Sequence, residues 1–285
     1  MRLWPANEYG KAAQRKPQSN GERMPRFSAH LGYLFKERPL IDRIDAAAAA
    51  GFTAIEGRFP DGVSAADFKR AAERNNLKVL GINTPQGSET EFGLGALPGR
   101  QKDWQVAFAQ TLDYVETVGG LAIHCLAGKV AADQRREAED IFVENLKRAA
   151  DQAAAKNIKL YIEPINPRDV TGYFLNEVEH AADIIGKVGS DNVFMQYDFY
   201  HVQIVGGDIV ERFKKHQNLI AHIQCSQVPV RHEPDEDGEI NYPYLFAEID
   251  RLGYPHWVGC EYIPSTPRTE DSLAWARPYG VVPRK

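Results

Sequence analysis

Eight times between Arg26 and the C-terminus, a short run of β-branched and apolar residues gives way to a longer helical stretch, and this alternation restricts the fold more than any other feature. The strand candidates are Arg26–Leu31, Thr53–Glu56, Leu77–Asn83, Leu121–Leu126, Lys159–Glu163, Val193–Asp198, Ile220–Cys225 and Trp257–Glu261. Strands separated by helix-length crossovers pair in parallel, and parallel sheets need both faces covered. Eight such units predict an α/β fold, a closed parallel (β/α)8 barrel wrapped in helices, with a doubly wound open sheet as the alternative. Against the open sheet, no G-x-G-x-x-G follows the first strand. The glycines of Gly93-Leu94-Gly95-Ala96-Leu97-Pro98-Gly99 fall after the third strand, lack that spacing and read as a structural loop.

Helix punctuation supports the same division. Ser64 with Asp67, and Asn176 with Glu179, have the spacing of capping boxes. Pro243 suits a first helical turn and Gly253 would end that helix. Over Ala138–Ala154, residues Ile141, Phe142, Asn145, Leu146, Ala149 and Ala153 line one face of a long helix.

A length of 285 residues would allow two domains at about 150 residues each, but a single barrel takes about 250. Residues 24–285 are therefore assigned to one barrel domain. Residues 1–23 are polar, without periodicity and without the apolar core of a secretory signal, and are expected to be a disordered extension or a start-site artefact. Hydrophobic residues make up 43% and charged residues 26%, which excludes wholesale disorder. No apolar run approaches the ~18 residues of a membrane span. A net charge of −5 leaves no basic stripe for a phosphate backbone, so neither nucleic acid nor membrane is an expected partner. Cys125, Cys225 and Cys260 are odd in number and far apart, which fits reduced thiols in a cytoplasmic protein. Trp275 and Tyr279 are read either as a cap on the barrel or as a contact in a homo-oligomer.

Chemistry in such a barrel sits at the C-terminal ends of the strands. Strands five to eight end on Glu163, Asp198, Gln224 and Glu261, spaced 35, 26 and 37 residues apart, each interval one βα unit. Three carboxylates and an amide carbonyl form an oxygen-rich set suited to Mg²⁺ or Mn²⁺ rather than zinc.

The strings Ile162-Glu163-Pro164-Ile165-Asn166, Gly172-Tyr173-Phe174-Leu175, Gln196-Tyr197-Asp198-Phe199-Tyr200-His201, His222-Ile223-Gln224, Arg231-His232-Glu233-Pro234, Gly238-Glu239-Ile240-Asn241-Tyr242 and Val258-Gly259-Cys260-Glu261-Tyr262 resemble the hydroxypyruvate isomerase family. That family consists of xylose-isomerase-like TIM barrels and includes the 2-oxotetronate isomerases. The resemblance runs from Met24 to about Tyr279 and is densest in the second half. It implies catalytic glutamates at Glu163 and Glu261 and a divalent metal held by Glu163, Asp198, Gln224 and Glu261. The reaction it implies is a carbonyl–hydroxyl transposition on a small hydroxy-oxo acid or sugar acid, hydroxypyruvate or 2-oxotetronate, through an ene-diolate.

Three departures alter the pocket wall. The family usually has a small residue, aspartate and Pro-Gly-Arg where this chain reads Cys225-Ser226-Gln227-Val228-Pro229-Val230-Arg231. The first strand ends Ala29-His30-Leu31-Gly32-Tyr33 instead of the expected Asn-Leu-Ser-Met. Glu56-Gly57-Arg58-Phe59-Pro60-Asp61 lacks the usual tyrosine after the proline. The cations placed to meet a substrate carboxylate are Arg168 and Arg231, then Arg100 and Lys129; His201 could donate to a ligand or substrate oxygen. His222 should lie one layer deeper in the barrel than Gln224. Competing readings are a zinc endonuclease, a metal-dependent sugar 3-epimerase and a non-catalytic sugar-acid-binding homologue. A glutamine at position 224, where the first two classes use histidine, speaks against both.

Overall fold

The structure, a computed structural model, describes residues 25–235 and 237–284; the extension expected over residues 1–23 lies outside the described residues. Eight parallel strands close on one another in chain order: β1 (Arg26–His30), β2 (Ala54–Gly57), β3 (Lys78–Asn83), β4 (Ala122–His124), β5 (Lys159–Ile162), β6 (Val193–Asp198), β7 (Ile220–Cys225) and β8 (Trp257–Cys260), with β8 paired back to β1. The fold is therefore a TIM barrel, and the open-sheet alternative is excluded. Around it run helices α1 (Leu40–Ala49), α2 (Ala65–Arg74), α3 (Gln101–Val118), α4 (Arg135–Ala154), α5 (Val178–Val188), α6 (Phe199–Val205), α7 (Ile209–His216) and α8 (Tyr242–Arg251).

The local signals explain most of these boundaries. Ser64 caps α2 by accepting from the Asp67 amide. Asn241 caps α8, Pro243 sits in its first turn and Gly253 leaves it at a φ of 75°. The capping box expected at Asn176 is not formed. Helix α5 starts at Val178 with Glu177 in the cap position and no side-chain cap, while the Asn176 amide donates to the Ile165 carbonyl at 2.8 Å. A tertiary carbonyl thus holds the Asn176 side chain, and the helix begins one residue later than a cap at Asn176 would set it. The glycine loop after β3 is structural: Gly93 has a φ of 119°, and a Cβ there would come within 2.6 Å of Leu126 Cβ.

The hydrophobic core lies mainly between barrel and helices. Trp275 packs edge-on to Phe27 at 5.3 Å and Tyr279 does so at 5.7 Å, so both cover the outer face of β1. The barrel interior near the C-terminal rim is polar instead. His30, Glu56, His124, Gln196, His222 and Gln224 surround a cavity of about 10 Å³ there, about the space of a single water. Among the described residues, no helix is long and apolar enough to cross a membrane.

Candidate active site at the strand ends

Each acidic residue of the rim is placed by the end of a strand. Glu163 follows β5 directly, and Pro164 stops the strand from continuing. Asp198 is the last residue of β6 and the cap of α6, accepting from the Tyr200 amide at 2.9 Å. That short helix carries His201 back against the same carboxylate. Glu261 follows β8. One ligand atom from each of Glu163, Asp198, His201 and Glu261 can be chosen so that all four lie within 4.8 Å of one another, and all four residues are buried.

Arg231 arrives from the loop after β7. Its Nη2 donates to Glu261 Oε2 at 2.6 Å and lies 3.3 Å from Asp198 Oδ2, and its guanidinium stacks on Tyr33 and Tyr200, 4.8 Å from each ring centroid. The backbone holds Arg231 at a φ of 57°, an uncommon conformation for a side chain of this size. Buried Gln227 ties this loop together. Its amide donates to Asp235 and Ile240 carbonyls, and its oxygen accepts from the Val228 and Ile240 amides. The position that departs from the family pattern therefore serves as the scaffold for Arg231. Arg168 stays at the edge, donating to the Tyr200 hydroxyl at 3.1 Å and the Pro229 carbonyl at 3.0 Å.

The protonation of His201 follows from its partners. Asp169 N donates to Asn166 Oδ1, so Asn166 Nδ2 is the group that donates to His201 Nδ1 at 2.6 Å. A ring nitrogen that accepts leaves the proton on the other one. His201 Nε2–H therefore points at Asp198 Oδ2, 3.5 Å away, and at Glu163 Oε1, 3.9 Å away. Burial and the Arg231 charge hold this imidazole well below its ordinary pKa, so it acts as a neutral donor. His124, 3.6 Å from Glu163 Oε2, is driven down to about 3 by burial.

The carboxylates behave oppositely. Burial first, then repulsion from Glu261 and Asp198, raises Glu163 well above the carboxylate range. Burial raises Asp198 to about 7, and Arg231 offsets only part of that. Three buried carboxylates thus face one guanidinium, and Glu163 Oε1 has no hydrogen-bond partner. Excess buried negative charge and an unsatisfied oxygen in a set of oxygen donors have the chemistry of a hard divalent-cation site.

Gln224 lies deeper. The register pairs it with Gly259, two residues before Glu261. Its oxygen accepts from Gln196 Nε2 at 2.8 Å, and its amide donates to Glu56 Oε1 at 3.1 Å. Glu56 in turn meets His222 Nε2 at 2.5 Å, so His222 is a paired interior histidine, stacked on Tyr161. Glu56 escaped the sequence reading although it carries the same signal as the chosen acids, a carboxylate closing an apolar strand. His30, 3.3 Å from Glu261 Oε1, was recognised only as a departure from the expected pattern. Of the remaining cations considered, Arg100 is ion-paired with Glu91 and Asp103, and Lys129 donates to the Glu89 carbonyl.

Comparison with known proteins agrees with this fold. Residues 44–279 match the model of the xylose isomerase-like TIM barrel family. The chain is 43% identical to a 2-oxo-tetronate isomerase of Cupriavidus necator, over 90% of this chain and 99% of that protein. It is 37% identical to the hydroxypyruvate isomerase of Escherichia coli, over 90% and 100%. Among solved structures, one described as an AP endonuclease, family 2, from Brucella melitensis superposes with a TM-score of 0.87 at 38% identity, covering 90% of this chain and 100% of that one. A D-psicose 3-epimerase from Clostridium cellulolyticum, at 17% identity and a TM-score of 0.71, shares the fold, with 88% of this chain and 89% of that one covered.

Proposed function

The chain belongs to the xylose isomerase-like TIM barrel family, and from that membership we propose that it is an isomerase interconverting the aldehyde and ketone forms of a small hydroxy-oxo acid. The relatives named 2-oxo-tetronate and hydroxypyruvate isomerase support that substrate class. One observation carries the reading: Glu163, Asp198 and Glu261 converge in a buried cluster at the rim where this fold does its chemistry.

A divalent cation, Mg²⁺ or Mn²⁺, would be held by the carboxylates of Glu163, Asp198 and Glu261 and, as the family resemblance implies, by the side-chain oxygen of Gln224. When bound, it supplies Lewis-acid stabilisation of the negative charge that develops on the substrate oxygens. The protein's own groups move the protons. One of Glu163 and Glu261 removes the carbon-bound proton beside the carbonyl, and the other returns a proton to the neighbouring carbon. His201 Nε2–H and the Arg231 guanidinium donate to oxygens in the same space, and Arg168 lines its edge. A set of three carboxylates with a histidine held as donor, in a chain of net charge −5, does not support nuclease chemistry on a phosphate backbone.

Glu163→Gln and Glu261→Gln keep a polar side chain of the same size but cannot take up a proton. Each is expected to lower kcat on hydroxypyruvate or 2-oxotetronate by at least about 100-fold at saturating Mn²⁺. Near-wild-type turnover of either variant contradicts the acid–base assignment.

A further inference from the structure

The rim carries more positive charge than the acidic cluster uses. Arg58, Tyr33, Arg231, Tyr200 and Arg168 form an alternating ladder across the barrel mouth. Arg58 lies 5.5 Å from the Tyr33 ring centroid, Arg231 lies 4.8 Å from both Tyr33 and Tyr200, and Arg168 lies 5.7 Å from Tyr200. The ladder's cations differ in what they face. Arg231 is ion-paired with Glu261, Asp198 and Asp169. Arg168 lies 3.7 Å from Asp169 and donates to Tyr200 and Pro229. Arg58 is exposed, lies over the Tyr33 ring, and makes no ion pair among the described residues.

We propose that Arg58, presented by Tyr33, is the anchor for the substrate's carboxylate and the residue that makes this site prefer acids over neutral sugars. The position is built by the chain. Arg58 stands two residues past Glu56 at the end of β2, and its stem lies over Gly32, where a Cβ would meet Arg58 Cγ at 3.2 Å and His30 Cε1 at 2.8 Å. Glycine at 32 is thus what lets Arg58 and His30 pack together. The connection to the reacting end is continuous: Arg58 contacts Tyr33, Tyr33 packs edge-on to His30 at 5.2 Å, and His30 lies 3.3 Å from Glu261 Oε1. A small acid with its carbonyl and hydroxyl at the carboxylate cluster needs a cation at its far end, and a guanidinium pairs with a carboxylate through two parallel N–H groups. His30 and Tyr33, which pack beside the anchor, are also positions at which the chain departs from the expected family pattern.

This assignment rests on the isomerase reading, and the experiment separates the two. The probe is tartronate, titrated by calorimetry into the Mn²⁺-loaded wild type, Arg58→Ala, Arg58→Lys and Arg168→Ala, alongside KM and kcat for hydroxypyruvate. Arg58→Ala is expected to weaken tartronate about tenfold or more and to raise KM with kcat little changed, as loss of a charged hydrogen-bond partner implies. Arg58→Lys recovers part of the affinity, and Arg168→Ala shifts it less than Arg58→Ala does. If Arg58→Ala binds tartronate as the wild type does, or loses kcat without a change in affinity, the anchor is wrong. If the wild type leaves hydroxypyruvate and 2-oxotetronate unchanged while Arg58→Ala still weakens tartronate, the isomerase reading falls and the anion site stands.

Discussion

Asp198 closes β6, caps α6 through the Tyr200 amide and faces Arg231, all while fully buried. Its pKa, raised from 3.8 to about 7, couples protonation to stability. In the cation-free protein the folded state keeps the Asp198 proton after the unfolded chain has released it. The resulting stabilisation is complete below pH 3.8 and is lost as the pH rises through about 7. After EDTA treatment, the melting temperature of the wild type should therefore fall relative to Asp198→Asn between about pH 4 and about pH 8, by an amount on the order of a few kcal/mol in stability. Parallel pH profiles for the two proteins contradict the assignment. At this scale the acids were legible, because a charged side chain ending an apolar strand stands out in a linear sequence. The partners of Arg231 were not. Its stacking between Tyr33 and Tyr200 depends on segments of three different βα units, the loops after β1 and β7 and the start of α6, meeting over the rim.

At the level of elements, strand identity was readable and strand length was less so. Expected strands such as Leu121–Leu126 shrink to Ala122–His124, because a strand ends where its neighbours stop offering hydrogen bonds, which periodicity does not report. Val193–Asp198 and Ile220–Cys225 have the expected bounds. The register of β6, β7 and β8 then decides what the side chains do, aligning Asp198 with Gln224 and Gln224 with Gly259. Gly259 is the point where these strands admit Glu56: a Cβ there would overlap Glu56 Oε1 and come within 3.0 Å of Gln224 Cγ. Gly259→Ala should displace Glu56 from His222 and Gln224 and destabilise the protein by about 1–3 kcal/mol in urea unfolding, as overpacking does elsewhere. An unchanged unfolding midpoint means the interior layer is loose.

For the molecule as a whole, the alternation of strand and helix was enough to predict one closed barrel, and eight strands pairing in sequence with β8 returned to β1 are what forms. Of the polar interior only His222 was foreseen, one layer below Gln224. Layers of branched apolar residues usually fill such barrels, whereas here His30, Glu56, His222, Gln196 and Gln224 support the rim from below. On the proposed reading, the hydrogen-bonded polar layer beneath, the cluster of carboxylates at the mouth and the ladder of arginines above form a site for moving protons on a small anion. That claim is tested most directly by incubating hydroxypyruvate, 2-oxotetronate and free ketoses with the protein in D₂O and following them by NMR, with Mg²⁺ and after EDTA. The account predicts deuterium incorporation and interconversion of the two acids that require the cation, whereas exchange into free ketoses alone, or into none of the compounds, would contradict it.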